Sequence, residues 1–346
     1  MKLAEVCRNF IIIAFRSFSP KTFNTVRIKS RKILTSGISF LFLGILFMLL
    51  ISCNSGKPKD ILDTPTSGNI KISVDESFQP LIDTEVYTFT SLYQRTQIKP
   101  EYKPEFDVVN DFMDDSVKVI VSSRKLSDSQ LQYLRDDLII GRTFTFAYDA
   151  LALITNKENL DTLLTYNNVR DIFKGQVNNW KEINAKSKLG GISVIFDSNK
   201  SGNIRYFKEL FEITDSLGNN FYAVNSNADV IDFVSRNPEA MGIISVNWIS
   251  DKDDPVSRSF IKKVNVLAIS QQYVNDGSYY RPAQGSIANK SYPFIREVYL
   301  ISRETHKGLG SGFIQWTTSQ QGQTIVLKSG LVPATLPVRL VQVSKE

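Results

Sequence analysis

Between Phe196 and Phe211 the chain reads FDSNKSGNIRYFKELF, and three residues in it, Ser201, Gly202 and Asn203, could do chemistry by binding rather than by reaction. They stand where an apolar run (Ile192, Val194, Ile195, Phe196) gives way to an amphipathic pattern with Ile204, Phe207, Leu210 and Phe211 on one stripe. Ser201 is a favourable N-cap, and Gly202 lets another group approach the first helical turn. Ile204 occupies the place where a capping box needs Glu or Gln, so no side chain from that position folds back onto the cap. N–H groups at the positive end of a helix dipole, beside hydroxyl and amide groups, suit an anion. The same pattern also fits an ordinary serine-capped helix start. Only partners from other segments can separate the two readings.

The elements that must supply those partners alternate between strand and helix along the chain. Asn69 to Val74 (NIKISV) reads as a strand that leads through Asp75-Glu76-Ser77-Phe78 into a helix reaching about Arg95. Pro100 to Glu105 reads as a turn, Glu105 to Met113 as a helix, and Val117 to Val121 (VKVIV) as a buried strand ending in Ser122-Ser123-Arg124. Ser127 and Gln130 form a capping box for the next helix. A long apolar strand follows over Thr143 to Thr155, then a helix over Asn167 to Phe173 and an anchoring Trp180 in a turn. Beyond the Ser201 region come a helix over Asn227 to Arg236, strands over Met241 to Val246, Lys263 to Ile269 and Phe294 to Ile301, one long helix over Leu309 to Lys328, and an exit loop over Ser329 to Pro337. This alternation predicts an α/β fold with mostly parallel sheets.

Charge and cysteine usage narrow the function. Residues 1–52 carry eight basic residues and one acidic, so the whole-chain totals of 41 and 35 fall to 33 and 34 once that segment is set aside. The basic balance belongs to the leader, and the inference to nucleic acid lapses with it. Cys53 is the one cysteine after the leader and His306 the one histidine in the chain. A disulfide framework, a His/Cys metal site and a Ser-His-Asp triad are therefore not expected, and His306 reads as a solvated loop residue. Ile38 to Ile51 is an apolar run of signal-peptide length, preceded by Arg27, Lys29, Arg31 and Lys32, and too short for a comfortable membrane span. Leu50-Ile51-Ser52-Cys53 resembles the lipobox of bacterial lipoproteins, which implies cleavage before Cys53 and a lipid on that residue. Asn54 to Gly68 reads as a flexible tether.

AYDALALITN (147–156), NNVRDIFKGQVNNWKEI (167–183), the Ser-Gly-Asn helix start, MGIISV (241–246), YPFIREVYLI (292–301) and FIQWTTSQQGQTIVLKSGLVPA (313–334) occur in this order. Together they resemble the substrate-binding lipoprotein of the phosphate-specific ABC transporter. The resemblance implies a type II periplasmic-binding fold, two α/β lobes joined by two crossing strands with the ligand between them. The crossings are expected near Thr143 to Ala147 and near Ser250 to Ser259, giving one lobe from 69–146 and 251–346 and the other from 147–250, after a removed segment 1–52 and a tether 53–68. Carried over by position, the anion would be held by Ser77 and Phe78 after the first strand, by Ser122 and Ser123 after VKVIV, and by Ser201, Gly202 and Asn203. No cofactor and no metal are implied. The implied partners are phosphate or a similar oxyanion, an ABC permease, and a membrane held through the lipid on Cys53 at its periplasmic face; a monomer is expected.

Two positions depart from that family's pattern. Ser123 stands where it has an Asp that accepts the proton of hydrogen phosphate, and Asp197 stands where it has an Arg. A carboxylate about 5 Å from an anion at an effective dielectric near 20 costs ~3 kcal/mol, which is about a hundredfold in affinity. Arg124 could restore the positive charge, or Asp197 could point outward and bond Lys200 or a nearby N–H. An enzyme acting on phosphate esters, and a sensing or adhesive protein, are the alternatives on the same fold. The first would need a metal cluster or an activated nucleophile, for which the sequence offers no motif.

Overall fold

The computed structural model describes residues 62–274 and 276–338, so the leader, the lipobox and Cys53 lie outside the described residues. The first half contains β1 (Gly68–Asp75), a 3-10 turn (Glu76–Phe78), α1 (Gln79–Leu92), β2 (Thr96–Lys103), α2 (Glu105–Met113), β3 (Val119–Ser122), α3 (Asp128–Asp136) and the fifteen-residue strand β4 (Arg142–Asn156). Then come β5 (Leu163–Leu164), α4 (Tyr166–Phe173), α5 (Trp180–Ile183), β6 (Ser193–Phe196), α6 (Gly202–Leu210), β7 (Phe221–Ala223), α7 (Asn227–Arg236) and β8 (Ala240–Ser245). The chain closes with α8 (Asn247–Ser250), α9 (Pro255–Lys263), β9 (Val264–Val266), β10 (Ala268–Ile269), α10 (Gln284–Ala288), β11 (Ile295–Ser302), α11 (Leu309–Thr317), α12 (Gln320–Lys328) and β12 (Val332–Pro333).

The main sheet runs β2-β1-β3-β11-β4-β8-β6-β7, and β4 belongs to both of its halves. Residues 142–150 of β4 pair with β11, whereas 151–156 pair with β8 and β9. Each flank is parallel (β2-β1-β3 and β7-β6-β8), but the pairings of β4 and β11 are antiparallel, so the sheet is mixed rather than mostly parallel.

The second crossing differs from the expected one. β9 pairs with the far half of β4, β10 pairs with β5, and α9 packs on α7, so residues 255–269 stay with the second lobe. Strand pairing returns to the first half of the sheet with β11, at whose start the Leu151 N–H donates to the Phe294 carbonyl. The crossing that the resemblance implies near Ser250 to Ser259 instead holds the start of α9, where Asp254 caps the helix by accepting from the Ser257 N–H at 2.7 Å.

Three further expectations are corrected. Residues 100–103 are not a turn but the end of β2, where Pro100 is tolerated because β2 is an edge strand paired only with β1. The long terminal helix is two, α11 and α12, separated at Thr318-Ser319, and the exit loop contains β12, which pairs with β4. The tether is already ordered at residue 63. There Asp63 accepts from the Leu309 N–H at 2.8 Å at the start of α11, and its other oxygen lies 2.8 Å from His306 Nε2, so His306 is exposed but partnered.

α6 is fixed by the stripe read from its sequence. Ile204, Phe207 and Phe211 are buried, while Leu210 remains partly exposed. The Phe207 ring stacks on Phe173 at 4.6 Å and meets the edge of Phe294 at 4.9 Å, tying the helix start to α4 and to the second crossing. Phe207→Ala is expected to lower stability by about 3–5 kcal/mol, the usual cost of deleting a buried aromatic ring, which urea denaturation would record as a lower midpoint at unchanged slope.

Candidate functional site

Four segments converge on one buried spot between the lobes: the loop after β1, the end of β3, the first turn of α2 and the start of α6. A methyl group added at Gly202 would lie 2.9 Å from Ser123 Oγ and 3.0 Å from both Asp75 Oδ2 and Glu105 Cδ. Gly202 is therefore required by close approach, as its place in the helix start suggested. Ser77 Oγ donates to Asn203 Oδ1 at 3.1 Å across the lobes. Ser77, Ser122, Ser123, Ser201, Gly202 and Asn203 are thus brought together as expected, and all are buried.

Phe78 and Arg124 make contacts of a different kind. Phe78 is fully buried, and its ring lies 5.0 Å from the Arg296 guanidinium, so it acts as a platform for a cation. Arg124 has only its backbone N–H at the site, donating to Ser122 Oγ at 3.2 Å, while its residue lines a cavity of about 690 Å³ at the mouth of the cleft. The positive charge comes instead from Arg205 on α6 and Arg296 on β11, neither of which the sequence argument singled out. Arg296 was readable within YPFIREVYLI as a charge in a buried strand. Arg205 carried no signal, since an arginine one turn into a helix is ordinary.

The donors of this spot are held by the protein's own carboxyl groups. Glu105, the first residue of α2 and 2 % exposed, takes Ser122 Oγ at 3.1 Å, the Ser123 N–H at 3.0 Å and Ser123 Oγ at 2.5 Å on Oε1. From the other lobe Arg205 donates Nη2 to Oε1 at 3.2 Å and Nε to Oε2, a bidentate fork. Burial works to raise the Glu105 carboxyl, but the charge and hydrogen bonds of Arg205, with those of Ser123, outweigh it and hold the group below its ordinary value. Glu105 is therefore an ionised oxyanion seated between the lobes.

Asp197 faces inward, contrary to the outward orientation considered from sequence. It accepts Ser201 Oγ at 2.6 Å and Asn203 Nδ2 at 3.1 Å, and Lys200 pairs with Asp107 at 2.8 Å instead. The Ser201 hydroxyl in turn accepts the Asn203 N–H at 2.9 Å. Burial pushes the Asp197 carboxyl upward, against the hydrogen bonds from Ser201 and Asn203 and the pull of Arg296. Burial also pushes Asp75 up to about 7, helped by the Glu105 and Asp197 charges against the pull of Arg296. Glu76, whose carboxylate caps α7 by accepting from the Asn227 N–H at 3.2 Å, is pushed up to about 8, again by burial.

Arg296 is the anchor of the spot. Its Nε donates to Asp149 Oδ2 at 2.9 Å in an ion pair exposed by no more than 2 % on either side, and Ser245 Oγ donates to Asp149 Oδ1 at 3.0 Å. Arg296 Nη1 lies 3.5 Å from Ser123 Oγ. Arg296 Nη2 and Asp75 Oδ2 are buried with no hydrogen-bond partner among the described residues. The arrangement can therefore grip one oxyanion by hydroxyl, N–H and guanidinium donors, and it keeps an acceptor, Asp75 Oδ2, beside it.

The comparisons agree with this architecture. The family model described as PBP superfamily domain matches residues 62–321. The phosphate-binding protein PstS of Borreliella burgdorferi is 23% identical over 274 residues, covering 76% of this chain and 89% of that one. The crystal structure of an ABC-type phosphate transport receptor from Vibrio cholerae superposes with a TM-score of 0.58 at 22% identity, over 77% of this chain and all of that one. A high-affinity periplasmic phosphate-binding protein solved with phosphate bound gives 0.62 at 13% identity, over 77% and 90%. With three quarters of its length under one family model, and with two lobes meeting on a shared long strand, this chain belongs to the PBP superfamily domain family.

Proposed function

We propose that this protein is a lipid-anchored solute-binding protein that captures phosphate or a related tetrahedral oxyanion between its lobes and delivers it to an ABC permease. The observation that carries the reading is the ionised Glu105 carboxylate: a buried negative charge is stable there only because hydroxyl, N–H and guanidinium donors from both lobes surround it. A place that stabilises one oxyanion suits another of similar size. The names of the similar proteins favour phosphate, and the proposed process is capture and release with no chemical step. The lipobox-like Leu50-Ile51-Ser52-Cys53 supports an anchor through Cys53 at the periplasmic face of a membrane.

Calorimetric titration with phosphate, arsenate, sulfate and molybdate tests the reading. At least one tetrahedral oxyanion is expected to bind more tightly than about 1 mM, or −4.1 kcal/mol. The double variant Ser201→Ala, Gly202→Asp is expected to abolish that binding, because the new carboxylate would be driven against Ser123, Asp75 and Glu105. Failure of all four anions to bind the unaltered protein would refute the reading.

A further inference from the structure

The contacts of Glu105 are those a free guest would make. It takes three donors from the end of β3 in the first lobe and a guanidinium fork from α6 in the second. Around it the lobes are joined by the Phe106 N–H donating to the Lys200 carbonyl at 3.2 Å, by Lys200 Nζ on Asp107 Oδ1 at 2.8 Å, and by Ser77 on Asn203. With the Glu105 carboxylate on Ser122, Ser123 and Arg205, those donors are already engaged, and a guest anion would compete with it for them.

There is, however, a place for that carboxylate to go. The cavity of about 690 Å³ at the mouth of the cleft is lined by Glu105 itself, with Phe106, Arg124, Ser201 and Lys208. Arg124 and Lys208 have no ion-pair partner among the described residues and can receive a displaced carboxylate. The start of α2 is a natural pivot, since Pro104 at its N-cap makes no side-chain cap bond and Glu105 is its first residue.

Resting on the oxyanion reading of this cleft, we propose that Glu105 is a tethered occupant of the site that holds the lobes closed without a guest, so that capture exchanges an incoming oxyanion for this carboxylate. A guest then meets a binding-competent site only in the fraction of molecules whose Glu105 has swung out, and its affinity is reduced by that fraction. A site filled by Glu105 for about 99% of the time weakens capture about a hundredfold. Glu105 thereby sets which anions bind at all, admitting those that outcompete a carboxylate already in place.

Two readouts test this on the full chain in detergent. Hydrogen exchange at the Phe106 amide reports closure, because its partner, the Lys200 carbonyl, lies on the other lobe. Titration with inorganic phosphate reports capture. In the unaltered protein the Phe106 amide is expected to be protected without phosphate, and to change less than twofold on adding it. In Glu105→Ala protection should fall at least tenfold without phosphate and return with it, and the phosphate Kd should tighten at least tenfold. Arg205→Ala breaks the same bridge from the other lobe and should cause the same loss of protection, which keeps the test valid if Glu105→Ala folds poorly. A guest-free Phe106 amide that is unprotected, or protection that survives both substitutions, overturns the proposal. So does a phosphate Kd that weakens in a folded Glu105→Ala. Loss of protection in the variants with no oxyanion bound by any form would keep the tethered occupant and defeat the oxyanion reading instead.

Discussion

Arg296→Met is expected to destabilise the protein by about 3–5 kcal/mol at neutral pH, the range for breaking a buried ion pair from one side. The substitution leaves Asp149, which is fully buried, with only the Ser245 hydroxyl and a backbone N–H to compensate its charge. Burial already pushes the Asp149 carboxyl upward against the pull of Arg296, so without the guanidinium it would take up a proton. The loss should therefore shrink as pH falls toward 5. A surface control separates this from a general effect of removing arginine. Arg170 pairs with its neighbour Asp171 with a side chain 38% exposed, and Arg170→Ala should stay within about 0.5 kcal/mol of the unaltered protein. Urea denaturation of both variants at pH 5 and pH 7 makes the comparison. Equal effects of the two substitutions would contradict the role given to Arg296.

What could be read from the sequence, and what could not, divides along the same line. The residues at the site were legible wherever a local rule places them: Ser201 and Gly202 by the helix start, Ser122 and Ser123 by the strand end, and the Ser127–Gln130 capping box, which forms as expected. The resemblance supplied the rest of the donor set and the two-lobed fold. Hidden from it were the groups whose meaning is purely tertiary. Glu105 reads as an acidic first residue of a helix, favourable in itself, and nothing local says that its carboxylate reaches β3 and Arg205, a hundred residues away. Asp197 reads as a repulsive charge because sequence shows neither its burial, which pushes the carboxyl upward, nor its Ser201 and Asn203 partners. The second crossing lies elsewhere than the resemblance implies, because only strand pairing shows where the chain recrosses.

A second large effect is expected in the pH dependence of stability. Asp75, Glu76 and Glu85 are pushed up to about 7, 8 and 9 from ordinary values of 3.8 or 4.5, each chiefly by burial. A carboxyl whose value is raised in the folded state keeps its proton where the unfolded chain has lost it. Its stabilising contribution is complete below about 4 and disappears as pH rises through the folded value. Each extra proton held by the folded state lowers stability by about 1.4 kcal/mol per pH unit. A net excess of one proton between pH 5 and 8 thus lowers stability by about 4 kcal/mol. Glu105 works in the opposite sense. Its value is held low, so its contribution is present above about 4.5 and is lost only as pH falls through the folded value, which places the acid limb at the far end of the range.

Glu85 allows part of the alkaline decline to be assigned, since it lies away from the cleft and accepts from Trp316 Nε1 at 3.1 Å. Glu85→Gln should flatten the curve between pH 5 and 9 and leave oxyanion binding unchanged. Urea denaturation of both proteins at fixed pH values across that range provides the check. A stability that instead rises to a plateau at pH 7 would contradict the protonation states assigned to Asp75, Glu76 and Glu85.

Locating arsenate by its anomalous scattering in crystals of this protein tests the whole interpretation most directly. The expected density lies between the Ser122-Ser123 strand end and the Ser201–Asn203 helix start, with the Glu105 carboxylate swung out toward Arg124. Arsenate bound elsewhere, or a Glu105 still on Ser123 and Arg205 in saturated crystals, would contradict it.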